Sequence, residues 1–169
     1  MSKAIELLQK KKEKEVRIVG DIITAPSHYN WHPLFECKEL TQHLPFNEGN
    51  VIKYLYRCGF KGTPEQTLQD KKKALQYIRM MADTPVELQR SIYGALEAFF
   101  VVVSNRNNAI RGNMYCSPSQ DYTLIAVCAG YFQDTAIGQA FSEVMNTLTQ
   151  HNLHDRTTLA DRVAGILEI

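Results

Sequence analysis

G-N-V-I-K-Y-L-Y-R-C-G-F-K-G, residues Gly49 to Gly62, and the D-K-K-K-A-L-Q-Y that follows at Asp70 to Tyr77 carry both a helical pattern and a concentration of charge. Read as a helix over 50–58, the first run sets Asn50, Lys53, Tyr54 and Arg57 along one stripe, at i, i+3, i+4 and i+7. Val51, Leu55 and Cys58 fall on the opposite side and seat it on a core. Gly59 and Gly62 end the helix and flank Lys61. A second helix begins at Pro64, with Thr63 as N-cap and Glu65 and Gln66 in its first turn, and ends near Asp83. One stripe of it holds Asp70, Lys73, Ala74 and Tyr77, and another Leu68, Leu75, Ile78 and Ala82. Two cations one turn apart, an amide before them and a lysine between glycines make an anion cradle, with Arg as a planar fork and Lys as a point charge. A solvated basic face has the same spacing.

Outward from this pair, composition sets bounds. The chain has 169 residues, enough for one domain with a real core. Its 19 Lys and Arg against 18 Asp and Glu give a net charge of +1, too little for a protein whose affinity comes from broad contact with nucleic-acid backbone. Nucleic acid stays open only through the lysines near the N-terminus. Cys37, Cys58, Cys116 and Cys128 lack C-x-x-C spacing and read as reduced thiols. No apolar run reaches membrane-spanning length and no signal-peptide pattern opens the chain, so a soluble, cytoplasmic protein is expected.

In chain order, residues 2–14 read as a charged helix and Val16–Ile23 as a short strand or linker, unpartnered unless it meets a second copy. A loop follows, holding His28, Tyr29, Asn30, Trp31 and His32. Its aromatic rings and polar groups suit a nucleobase, though Tyr29 and Trp31 would equally anchor the loop on the core. For His32 a structural role is the expectation. Pro33–Leu44 reads as a helix in which Glu36 and Glu39 project to one side. With Asp70 opposite, they would hold Mg²⁺ together with substrate phosphates. Alternatively, Glu36 pairs with Lys53 or Arg57.

Beyond Thr84 the pattern predicts a helix over 85–105 with Leu88, Ile92, Leu96, Phe99 and Val103 as its apolar stripe. A-F-F-V-V-V within it implies burial on several sides, as at a subunit interface. A long loop over 105–120 carries Arg106 and Arg111, which could close on an anion. A helix over 122–150, with Gly130 and Gly138 marking a close approach or a bend, and a terminal helix over 157–169 complete the chain. The fold class is all-α, a compact helical bundle with a C-terminal helical extension. Three regions follow: 1–24, 25–84 and 85–169. Self-association is expected from the apolar run and the unpaired 16–23 segment.

The motifs P-S-H-Y (Pro26–Tyr29), F-E-C (Phe35–Cys37), F-N-E-G-N (Phe46–Asn50), I-K-Y-L-Y-R (Ile52–Arg57) and D-K-K-K-A-L-Q-Y (Asp70–Tyr77) together resemble the small SaV-like domain of bacteriophages, over residues 25–81. That family includes a nucleotide kinase with no Walker loop. Lys71 departs from the leucine usual after the aspartate. The resemblance implies a phage protein in the host cytoplasm that phosphorylates deoxynucleoside monophosphates, with ATP or another nucleotide as donor and Mg²⁺ as cofactor. Lys53, Arg57 and Asp70 would be catalytic. His28, Tyr29, Asn50, Lys61, Lys73 and Tyr77 would bind substrate, and Glu36 and Asp70 the metal. The E-x-x-E of Glu36 and Glu39 is also similar to the MazG-type pyrophosphohydrolases, but Asn50 and Lys53 stand where their second acidic pair would be. No P-loop, dinucleotide fingerprint, nucleophile elbow or H-E-x-x-H is present. Two other readings differ in which residues do the work, the first keeping the cradle without an Mg²⁺ carboxylate and the second relying on the C-terminal helices. One is a non-catalytic binder of nucleotides or signalling nucleotides that counters host defence. The other is a helical host-protein-binding module.

Overall fold

The computed structural model describes residues 26–85, 92–111, 121–150 and 156–169. Among these the chain forms a 3₁₀ turn, Ser27–Tyr29, and seven α-helices with no strand: α1 Cys37–Thr41, α2 Phe46–Arg57, α3 Pro64–Ala82, α4 Ile92–Arg111, α5 Asp121–Ala129, α6 Thr135–Thr149 and α7 Arg156–Leu167. The class is all-α, as the periodicity predicts. The charged N-terminal helix, the Val16–Ile23 segment and Leu88 lie outside the described residues.

Helix α2 runs through the middle of the fold, burying Val51, Ile52, Leu55 and Tyr56. Its end is set by Gly59 and Gly62, which adopt φ of 82° and 81°, a region where a Cβ is disfavoured. Thr63 then caps α3 through a reciprocal capping box with Gln66, and Pro64 occupies the first turn.

The buried face of helix α3 keeps Leu75 and Ile78 of the predicted apolar stripe but is turned toward Asp70 and Ala74. Asp70, Ala74, Leu75, Ile78 and Met81 are buried, whereas Leu68 is 41% exposed. The row 70, 74, 78, 81 follows one helical face, and an ion pair from α2 to Asp70 draws that face inward.

The helix expected over 33–44 contracts to the five residues of α1. Glu36 begins it as N-cap, in a capping box with Glu39, whose Oε2 accepts from the Glu36 N–H at 2.7 Å. Pro45 closes the other side, since the residue before proline is disfavoured in the α region.

The C-terminal helices complete the same core. Phe35, Phe99 and Phe141 meet with ring centroids 5.4 and 6.1 Å apart, joining the α1 approach to α4 and α6. Ile92, Leu96, Phe99 and Val103 of α4 are buried as the stripe predicts. Val101 is 59% exposed, so the A-F-F-V-V-V run is not buried all round. Residues 105–111, expected in a loop, continue α4. Arg106 makes a two-pronged ion pair with Glu39 through its guanidinium. The Arg111 side chain is outside the description. A second tie is the buried pair of Arg156 on α7 and Glu48 on α2, 3.4 Å apart.

The helix expected over 122–150 breaks at Gly130, and Asp134 caps α6 by accepting from the Ala136 and Ile137 N–H groups at 2.9 and 3.3 Å. Gly138 supplies the close approach: a Cβ there would stand 2.7 Å from the Ala129 carbonyl oxygen. Because that neighbour is backbone, Gly138→Ala is expected to destabilise the protein by about 1–3 kcal/mol in urea unfolding. A loss below the error of the fit would show that the α5–α6 corner yields freely. No helix among the described residues is long and apolar enough to cross a membrane.

Candidate functional site

Arg57, the last residue of α2, is the hinge of the site. Its Nε and Nη2 donate to Asp70 Oδ2 and Oδ1 at 2.9 and 2.6 Å, and its Nη1 donates to the Tyr29 hydroxyl at 3.2 Å. Only 11% of the Arg57 side chain and 5% of the Asp70 side chain are exposed. Burial by itself would lower the Arg57 pKa, but the bonds to Asp70 and Tyr29 outweigh it and raise it above the usual value. The guanidinium is permanently charged, and it pins the 3₁₀ turn to α2 and α3.

Between that turn, α1 and α2 lies a cleft of about 330 Å³, lined by Pro26, Tyr29, Asn30, Cys37, Lys38, Thr41 and Lys53. Its volume is at the lower end of the range for small-molecule sites. Lys53 brings to it a charge with no carboxylate partner among the described residues. Burial pushes the Cys37 thiol up to about 12, so it is a neutral, apolar part of the wall. His28 is lowered from its ordinary value by burial and by the charges of Lys61 and Arg57, with Asp70 opposing. Lys61 and Arg57 therefore act on His28 in one positive field.

The loop that carries Lys61 is held by its neighbour. Phe60 stacks on Trp31, centroids 4.4 Å apart and planes 11° from parallel. Trp31 in turn donates from Nε1 to the Tyr56 carbonyl at 2.8 Å and meets Phe132 edge-on. Trp31 is thus an anchor, and the ring left at the cleft is Tyr29. His32 is structural: it is 4% exposed, bonded through Nε2 to Cys128 O and through Nδ1 to the Leu34 N–H.

A second flank, joined to the cleft through Arg57, forms around Tyr54, which is not among the residues lining the cleft. Lys53 Nζ, Arg57 Cζ and Lys73 Nζ lie 5.2, 4.6 and 5.5 Å from the centre of the Tyr54 ring. Tyr77 stacks on Tyr54 at 5.7 Å. Asn50 spends its Nδ2 on the Phe46 carbonyl of its own helix, at 2.8 Å.

The carboxylates expected to hold Mg²⁺ do not assemble. Both Asp70 oxygens receive Arg57, Glu36 faces Lys38 at 2.9 Å rather than Lys53 or Arg57, and Glu39 is engaged by Arg106. Among the described residues no group of three His, Cys, Asp or Glu could hold a metal ion. The donor set therefore does not fit an Mg²⁺ ion held by Glu36 and Asp70 together.

Of the residues singled out from the sequence, the structure brings Arg57, Asp70 and Tyr29 into direct contact. His28 and Lys61 share their field, Lys53 lies in the cleft, and Lys73 and Tyr77 stand on the second flank. Sequence reasoning missed the α1 wall of Cys37, Lys38 and Thr41. It also missed Tyr56, whose buried hydroxyl accepts from the His32 N–H and donates to Phe35 O, fixing the whole loop. The one available signal was F-E-C, read for its glutamate and not for its cysteine.

Residues 23–79 match the model of a protein family of unknown function, DUF3310, over nearly the segment that the motifs mark out. No curated protein and no solved structure matches the chain.

Proposed function

We propose that the protein binds a (deoxy)nucleoside monophosphate in the cleft between the 3₁₀ turn, α1 and α2. The carrying observation is that Tyr29, Asn30 and Lys53 line one cavity, and that Lys53 has no carboxylate partner among the described residues. In this reading the base lies against Tyr29 and Pro26, and the phosphate is held by Lys53. Arg57 serves by position, since its fork is already filled by Asp70. The resemblance to the SaV-like phage domain supports the same ligand class and extends it to phosphoryl transfer, a reaction that positioning and charge stabilisation can drive. The engaged carboxylates favour, as the second reading, a protein that sequesters nucleotides without turning them over.

Isothermal titration of the full chain against dGMP, dTMP, ATP and a cyclic dinucleotide, with and without Mg²⁺, tests the proposal. Saturable binding of a monophosphate is expected, weakened roughly tenfold or more by Lys53→Ala. Failure of every monophosphate to bind, or equal affinity in the variant, would sink it. Binding strengthened by Mg²⁺, followed by ATP-dependent formation of a diphosphate, assigns the kinase. Metal-independent binding without turnover assigns the sequestering protein.

A further inference from the structure

Lys53 borders two surfaces. It lines the cleft, and its Nζ also lies 5.2 Å from the centre of the Tyr54 ring, a point 5.5 Å from Nζ of Lys73 on a different helix. Neither lysine has a carboxylate partner among the described residues, whereas Arg57, the third cation over the ring, is neutralised by Asp70. Two unneutralised ammonium groups from separate helices over one aromatic ring repel each other, and the ring's negative face only partly offsets this. A compact polyanion between them removes the repulsion. A single phosphate at the cleft engages Lys53 and leaves Lys73 unused, so the second flank calls for a ligand with charge spread over a longer chain. The stacked Tyr54–Tyr77 pair gives this flank a firm floor across α2 and α3.

We infer that Lys53, Tyr54 and Lys73 form an oligophosphate subsite beside the cleft, with Lys53 shared between the two. The shared lysine rests on the cleft reading, but the pairing of Lys53 with Lys73 does not. The chemistry is that of a phosphate chain, from a nucleoside triphosphate or an inorganic oligophosphate.

The test is titration of the full chain with sodium tripolyphosphate and, separately, with dGMP. Lys73→Ala is expected to weaken tripolyphosphate binding about tenfold while changing dGMP binding less than about twofold, and Lys53→Ala to weaken both. Binding of tripolyphosphate should fall with added salt, as contacts to phosphate do. Lys72→Ala, an exposed neighbour outside the cluster, is the control. No tripolyphosphate binding by the unaltered protein, or equal losses in Lys72→Ala and Lys73→Ala, overturns the inference. Lys73-dependent tripolyphosphate binding without any dGMP binding upholds it while removing the cleft reading. Displacement of tripolyphosphate by ATP assigns the chain to a nucleoside triphosphate, and its failure to an inorganic source.

Discussion

Replacing Asp70 with alanine is expected to cost about 3–5 kcal/mol of folding free energy, the usual consequence of leaving a buried charge without its partner. Arg57 would keep its charge, because its guanidinium cannot deprotonate in the accessible pH range, and it would have only the Tyr29 hydroxyl in place of two carboxylate oxygens. Urea unfolding followed by circular dichroism reads the effect. The double variant Arg57→Met with Asp70→Leu is expected to recover much of the loss, since a buried ion pair replaced by apolar side chains of similar size is often close to neutral. A loss under about 1 kcal/mol in Asp70→Ala would mean that water replaces the carboxylate. The outcome matters for function: a failure of Asp70→Ala to bind nucleotide reports folding unless stability is measured beside it. Lys53→Ala and Lys73→Ala are the informative substitutions because those side chains carry charge with no carboxylate partner among the described residues.

Acidification is expected to remove about 3 kcal/mol of stability through His32 alone. A carbonyl only accepts, so Nε2, bonded to Cys128 O at 2.9 Å, carries the proton. A backbone N–H only donates, so Nδ1, 3.1 Å from the Leu34 nitrogen, is bare. The ring is neutral, and a second proton would break the Leu34 bond inside an aromatic cage of Trp31, Phe35, Tyr56, Tyr131 and Phe132. Burial accordingly lowers His32 to about 4, with the Cys128 carbonyl opposing. The unfolded chain takes up the proton near the ordinary value of 6.5 and the native state only near 4. The stabilisation is therefore complete above pH 6.5, falls as pH drops between these values, and is gone below 4. Urea unfolding from pH 7.5 to 4.5 should show this slope. His32→Gln should start less stable and lose less over the same interval. His28 shifts the same way, so the difference between the two proteins isolates His32. Parallel profiles would place the His32 ring in contact with water.

The sequence alone determined much of this protein. A 3.6-residue period, a proline, a capping threonine and two glycines define α2, the turn and α3, because those signals act within a few residues of themselves. The basic stripe Asn50, Lys53, Tyr54 and Arg57 was legible for the same reason. The tertiary structure decided what the charges face. Asp70 became the partner of Arg57, and Glu39 that of Arg106, because residues 13 and 67 positions apart meet only when the helices pack. The five-residue α1 and the break at Gly130 were likewise settled by caps and corners competing with an apolar pattern that reads as continuous helix. The cleft itself comes from three segments, none of which carries its shape alone. Periodicity names the face a helix shows, and only packing decides which charges on that face find a partner and which are left for a ligand.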